Sequence, residues 1–130
     1  SELLACPDWS LSLRCEQIEN WGNVSLVARL APADAPSAEA LARLTRARTS
    51  LSDAFEARFG VRPHPDFTPH VTLAYFANAA LAAAAAPAVS RWNRSWRETT
   101  DGKSIAFHRI APSAFADMAS FGRLPQWGHI

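Results

Sequence analysis

The sequence predicts an α+β domain, with two helices on one face of a small, mostly antiparallel sheet. Apolar and polar side chains alternate in short segments, and apolar residues recur at helical spacing in longer ones. The 130 residues, 48% of them hydrophobic, fit a single domain over 1–130, because two domains of this total length would each be marginal. The expected element order is β-β-α-β-α-β.

The first two strands are expected to form a hairpin. Residues from Trp9 to Glu16 alternate between apolar and polar, which is typical of a half-buried strand. Trp21-Gly22-Asn23 favours a turn. A second strand is predicted from Val24 to Leu30.

A long helix is expected next. Pro32 and Pro36 end the second strand, Ser37 is the expected N-cap, and Gly60 supplies a left-handed C-cap. The residues at helical spacing that we expect to face the core are Leu41, Leu44, Leu51, Phe55 and Phe59.

The strand His70–Phe76 alternates again. Its expected core side carries Val71, Leu73 and Tyr75, and the other side carries His70, Thr72, Ala74 and Phe76. If this strand lies parallel to the Val24 strand, the connection between them should be right-handed.

The remaining elements are predicted by capping and breaking residues. Asn78 should cap an alanine-rich helix that Pro87 breaks or kinks. A last strand is expected over Lys103–Ala111. In the tail, three apolar residues lie at near-helical spacing: Phe115, Met118 and Phe121.

Composition excludes several classes of function. A net charge of +1 does not fit a protein that binds duplex DNA along its phosphate backbone. No apolar run approaches the roughly 20 residues that cross a bilayer, so no membrane association is expected. Cys6 and Cys15 are too few for a disulfide framework, and we expect reduced thiols and a cytoplasmic location.

The most informative segment is Phe67–Phe76. Because residues two apart share one face of a strand, His70 and Thr72 should project side by side about 7 Å apart. An imidazole exchanges protons near neutral pH, and a hydroxyl can donate a hydrogen bond to a phosphoryl oxygen. The competing interpretation is an ordinary polar pair on a strand surface.

Other residues are weaker candidates for substrate binding. Phe76 shares the expected face of His70, His108 either lies beside His70 or on the surface, and Arg62 could pair with a phosphate. The spacing of His64, Asp66 and His70 matches no regular metal site. We therefore expect neither a metal nor another cofactor.

Three stretches together resemble the second half of a 2H phosphoesterase: Ala40–Leu51, Phe59–Arg62 and Phe67–Phe76. In that superfamily an H-x-[T/S] motif occurs once in each of two pseudo-symmetric lobes that face each other across a cleft. The stretch Ala114–Phe121 also resembles the tail of a bacterial 2H-like subfamily. The similarity covers roughly Leu11 to Pro125.

The resemblance implies a phosphoric diester hydrolase of the cyclic phosphodiesterase type. Members open 2′,3′-cyclic or related phosphodiesters of nucleotides or RNA ends without metal, and some join RNA ends. One histidine acts as base and the other as acid, while the hydroxyls hold phosphoryl oxygens. Only His70 and Thr72 match the motif in this sequence.

A second H-x-[T/S] motif is missing. Asn23-Val24-Ser25-Leu26 has its shape, but asparagine does not exchange protons. We therefore expect that the first lobe is absent from this sequence and lies upstream in a longer protein. Two alternatives stay open, namely a complementary separate chain and a homodimer that brings two copies of His70 together. The alternative to an enzyme is a non-catalytic structural or interaction module, inactive without its other lobe.

Overall fold

The computed structural model describes residues 10–63, 67–100, 103–108, 113–117 and 120–123. Its strands are β1 (Leu11–Trp21), β2 (Ser25–Pro32), β3 (His70–Tyr75), β4 (Ile105–Phe107), β5 (Ser113–Asp117) and β6 (Ser120–Arg123). Its helices are α1 (Ala35–Phe59), α2 (Ala79–Ala84) and α3 (Ala86–Thr100). An antiparallel sheet in the order β3-β2-β1-β4 and a separate β5-β6 hairpin confirm the α+β class.

β1 and β2 form the expected hairpin. Gly22 and Asn23 have φ angles of 61° and 60°, and the Val24 N–H donates to the Trp21 carbonyl at 3.0 Å. Positive φ at both central residues defines a type I′ turn, whose twist matches that of the paired strands. β1 is longer than predicted because it continues past a β-bulge at Glu16.

α1 begins at Ala35 and is capped by Asp34, whose carboxylate accepts the Ser37 N–H at 2.8 Å. The prediction that Ser37 is the cap was wrong. Ser37 lies inside the helix, where it is buried and accepts the Ser12 N–H at 2.9 Å, so that it ties α1 to β1. Gly60, at φ 69°, ends the helix as predicted.

The hydrophobic core lies between the first half of α1 and the sheet. Leu11, Leu13, Leu30 and Ala40 are buried there, with Cys15, Leu41 and Leu44 packed against them. The prediction that the second half of α1 also faces this core was wrong. Its large apolar side chains stay exposed, at 70% for Leu51, 42% for Phe55 and 58% for Phe59.

β3 lies at the edge of the four-stranded sheet and runs antiparallel to β2. The right-handed connection was expected only for parallel strands, so that expectation does not apply. The prediction that Val71, Leu73 and Tyr75 form a core side was wrong, because they are 42%, 45% and 71% exposed. A β-bulge at Leu73 also interrupts the alternation of the strand.

The alanine-rich segment is divided at Ala85 into α2 and α3, which confirms the prediction that this helix is broken near Pro87. Asn78 caps α2 by accepting the Leu81 N–H at 2.9 Å, also as predicted. α3 packs against β1 through Asn93, whose side chain bonds both the N–H and the carbonyl of Ile18, at 2.7 and 2.9 Å. This amide pairs with the strand much as a neighbouring strand would.

The C-terminal part differs most from expectation. A strand over Lys103–Ala111 was predicted, and β4 covers Ile105–Phe107 of it, which pair with Leu11–Leu13. Residues 109–111 lie outside the described residues. Phe115 and Phe121 lie opposite each other in the β5-β6 hairpin, not in a helical segment. Met118 and Cys6 lie outside the described residues. No helix in the described ranges has both the length and the hydropathy to cross a membrane.

Candidate functional site

The sheet register places His70 and Thr72 on the side of the sheet opposite to α1. His70 lies opposite Arg29 on β2, and Thr72 lies opposite Val27. Arg29 and Val27 alternate with residues such as Leu30, which packs in the core. We call the side that carries these four residues the histidine face.

The imidazole of His70 is held by the chain just before it. Its Nδ1 lies 2.8 Å from the carbonyl oxygen of Thr68, and the side chain is exposed. A carbonyl oxygen can only accept, so Nδ1 carries the hydrogen. In the neutral ring this leaves the lone pair on Nε2, which is the nitrogen able to take up a proton.

A second contact to His70 comes from Trp21, which lies on β1, beyond β2. The two ring centroids are 4.5 Å apart and the ring planes are tilted by 51°. The indole N–H donates to the Glu19 carboxylate at 2.7 Å, so the ring is fixed at its other end. Val27, on the same face of the intervening strand, is fully buried.

Charges on the histidine face are largely matched. The guanidinium of Arg29 lies 2.8 Å from the Glu16 carboxylate and 3.2 Å from that of Glu19. Hydrogen bonds from Trp21 and Gln17, and the charge of Arg29, hold the pKa of Glu19 below its ordinary value against the opposing effect of burial. The face therefore presents an ion-paired network rather than a free positive charge.

Thr72 is the neighbour of His70 along β3 on this face. Its side chain is exposed, and within the described part of the chain its hydroxyl makes no hydrogen bond. Residues two apart in a strand lie about 7 Å from each other. The pair can therefore offer a proton acceptor and a hydrogen-bond donor to one small anionic group.

The bulge at Leu73 exchanges the roles expected for the two aromatic residues after it. Tyr75 pairs with Ser25 and so lies on the histidine face, where it is 71% exposed. Phe76 continues the ladder through its N–H to the Val24 carbonyl at 2.8 Å, one position further. Phe76 therefore points to the helix side, and its expected place beside His70 was wrong.

Arg62 is not directed at this face. Its guanidinium contacts Asp53 at 2.8 Å and Glu56 at 2.7 Å, both on α1. The hydrogen bond to Glu56 and the charge of Asp53 raise the pKa of Arg62 further above its already high value. The residue stabilises the end of α1, and its positive charge is already paired.

His108 follows β4, at the opposite edge of the sheet from β3. β4 pairs with the start of β1, whereas His70 is level with Gln17, about 20 Å further along β1. His108 is exposed and does not lie beside His70.

No three histidine, cysteine, aspartate or glutamate side chains gather closely enough to hold a metal in the described part of the chain. His64 and Asp66 lie outside that part. Cys15 is a free thiol whose pKa is raised, chiefly by burial and despite a hydrogen bond from Trp96.

Sequence reasoning missed Trp21, Glu19 and Arg29 as parts of the site. A weak signal existed, because Gln17, Glu19 and Trp21 alternate with Ile18 and Asn20, but the bulge at Glu16 shifts this pattern relative to the preceding residues. In comparisons with protein-family models, curated proteins and solved structures, nothing matches this chain.

Proposed function

We propose that this chain supplies one catalytic lobe of a metal-independent, 2H-type cyclic phosphodiesterase in the cytoplasm. Its substrate would be a 2′,3′-cyclic phosphate, or a related phosphodiester, of a nucleotide or an RNA end. The observation that carries the proposal is the exposed His70–Thr72 pair, with the imidazole fixed so that Nε2 is the basic nitrogen. The resemblance of the surrounding sequence gives the reaction class.

In this mechanism Nε2 of His70 takes a proton from a water molecule as its oxygen attacks phosphorus. The bond from phosphorus to one ribose oxygen breaks on the opposite side, and that oxygen must receive a proton from an acid. The Thr72 hydroxyl donates a hydrogen bond to a non-bridging oxygen as its negative charge grows. By reversibility, His70 could instead be the acid of the pair.

The second acid–base group is not supplied by the histidine face described above. His108 is too far away to share a phosphate with His70. The proposal therefore requires a second group from another lobe or from another copy of the chain.

The test compares wild type, His70→Ala and His108→Ala on a panel of 2′,3′-cyclic nucleotides with EDTA present. Loss of an acid–base group should lower turnover by about 100-fold or more in His70→Ala. His108→Ala is a matched control and should keep wild-type turnover. Equal rates for wild type and His70→Ala would reject the assignment.

A non-catalytic interaction module is the second candidate. It is favoured by the exposed edge strand β3 and its apolar side chains. If neither a dimer of this chain nor the chain joined to its expected upstream lobe turns over any substrate of the panel, including cyclic-phosphate-terminated RNA, this second candidate is preferred.

A further inference from the structure

The outer edge of β3 has no neighbouring strand among those that the structure describes. All six of its residues are exposed, and three of them are large and apolar: Val71, Leu73 and Tyr75. The strand contains no proline or lysine that would block pairing. An edge of this kind is a template for another strand.

The ladder with β2 determines which main-chain groups are available at that edge. The Leu30 N–H donates to the Pro69 carbonyl at 2.9 Å, which makes 30 and 69 a hydrogen-bonded pair. Because such pairs alternate in an antiparallel ladder, Val71 bonds towards β2, while the N–H and carbonyl of His70 and Thr72 point outwards. The bulge at Leu73 ends this regular stretch.

We propose that β3 pairs antiparallel with β3 of a second copy of this chain, around a two-fold axis at Val71. In this register His70 lies opposite Thr72 of the partner subunit, and Thr72 lies opposite the partner subunit's His70. The outward N–H and carbonyl groups of both residues then form two hydrogen-bonded pairs. The two copies of Val71 meet across the axis on the helix side.

A second copy fits because the edge is self-complementary, as a two-fold interface requires. Across the interface, each His70 imidazole lies opposite the Thr72 hydroxyl of the other subunit, and the two Val71 side chains lie opposite each other. An axis at Thr72 would set His70 against Ala74, whose main-chain groups are turned to β2 by the bulge. An axis at His70 would set the two imidazoles directly opposite each other, which is unfavourable once both are charged.

This pairing deepens the proposed function and rests on it for its catalytic meaning. It would place two histidines and two threonines close together on one face. Opposite residues would be about 5 Å apart across the strands, and His70 and Thr72 of one strand about 7 Å apart. The partner subunit's His70 would then be the missing acid–base group. A site of this kind exists only in the dimer.

The test begins with the molecular mass of wild-type protein by sedimentation equilibrium over a range of concentrations. It then uses Val71→Cys with Cys6 and Cys15 replaced by serine, under oxidised glutathione. At a non-hydrogen-bonded antiparallel pair the Cα atoms lie about 4.5 Å apart, within reach of a disulfide. Tyr75→Cys in the same background is the control, since it lies about 26 Å from its counterpart in this register.

We expect a concentration-dependent dimer and a disulfide-linked dimer from Val71→Cys that Tyr75→Cys does not give. A strict monomer at all concentrations, or equal crosslinking of the two variants, would overturn the pairing whatever the activity. A dimer with the expected crosslink but no phosphodiesterase activity would leave the pairing standing and reject the proposed function. If both hold, the linked dimer should stay active at dilutions where the wild type loses activity.

Discussion

The indole of Trp21 lies 4.5 Å from the imidazole of His70, although β2 separates their strands. The same indole donates to Glu19, and the same imidazole bonds the Thr68 carbonyl. The orientation of His70 is therefore set from two sides, by the chain that precedes it and by a residue about 50 positions earlier.

Replacing Trp21 with alanine should disturb His70 and the stability of the sheet. Removal of a half-buried aromatic ring should lower the free energy of unfolding by about 1–2 kcal/mol. The ring resonances of His70 in NMR spectra should shift, because the neighbouring ring current is lost. Trp92→Ala, on the exposed side of α3, is the control. Unchanged His70 resonances in Trp21→Ala would contradict the contact.

Glu19 should make stability depend on pH. Its pKa in the folded protein is lowered from 4.5, so its ionised form stabilises the fold above that value and the contribution is lost as pH falls through the folded pKa. Glu19→Gln should flatten the fall in urea midpoint between about pH 5 and about pH 3. Glu39→Gln, on exposed α1 surface, is the control. Parallel curves for wild type and Glu19→Gln would rule out this linkage.

Asn93 should be needed to hold α3 against β1. Asn93→Ala removes both hydrogen bonds to Ile18 and leaves two partly buried main-chain groups without partners, so we expect a loss of about 2 kcal/mol of unfolding free energy. Hydrogen exchange of the Ile18 amide should accelerate. The neighbouring exposed Arg94→Ala should change neither quantity. Slow exchange at Ile18 in Asn93→Ala would show that the side chain does not protect the strand.

Substitutions of Thr72 test whether its hydroxyl takes part in the proposed reaction. Thr72→Val keeps the shape of the side chain but removes the donor, and should lower kcat on cyclic phosphates by about 100-fold. Thr72→Ser should stay near wild type. Since the side chain is exposed, both variants should keep the wild-type Tm within a few degrees. A fully active valine variant would exclude the hydroxyl from the reaction.

Much of the fold could be predicted because local chemistry determines it. Gly22-Asn23 fits only a few turn types, Gly60 and Asn78 cap helices by their own backbone or side-chain preferences, and Pro87 cannot sit inside an uninterrupted helix. The placement of His70 and Thr72 on one side of a strand followed from a spacing of two residues. No long-range information is needed for any of these.

The errors come from features that local patterns do not record. Apolar spacing in α1 shows which residues share a side of the helix, but not that the sheet covers only its first half. Single-residue bulges at Glu16 and Leu73 reverse an alternation that otherwise continues smoothly. The contact of Trp21 with His70 needs both the sheet order and the first of these bulges.

The bulge at Leu73 also decides which aromatic ring β3 presents on the histidine face. The bulge takes up one extra residue, so that Ala74 and Tyr75 stay paired with Leu26 and Ser25 and the phenol of Tyr75 stays on that face. If the same residues paired without the bulge, plain alternation would turn the phenol of Tyr75 to the helix side and bring the phenyl ring of Phe76 to the histidine face. That face would then lose a hydroxyl without any change in composition.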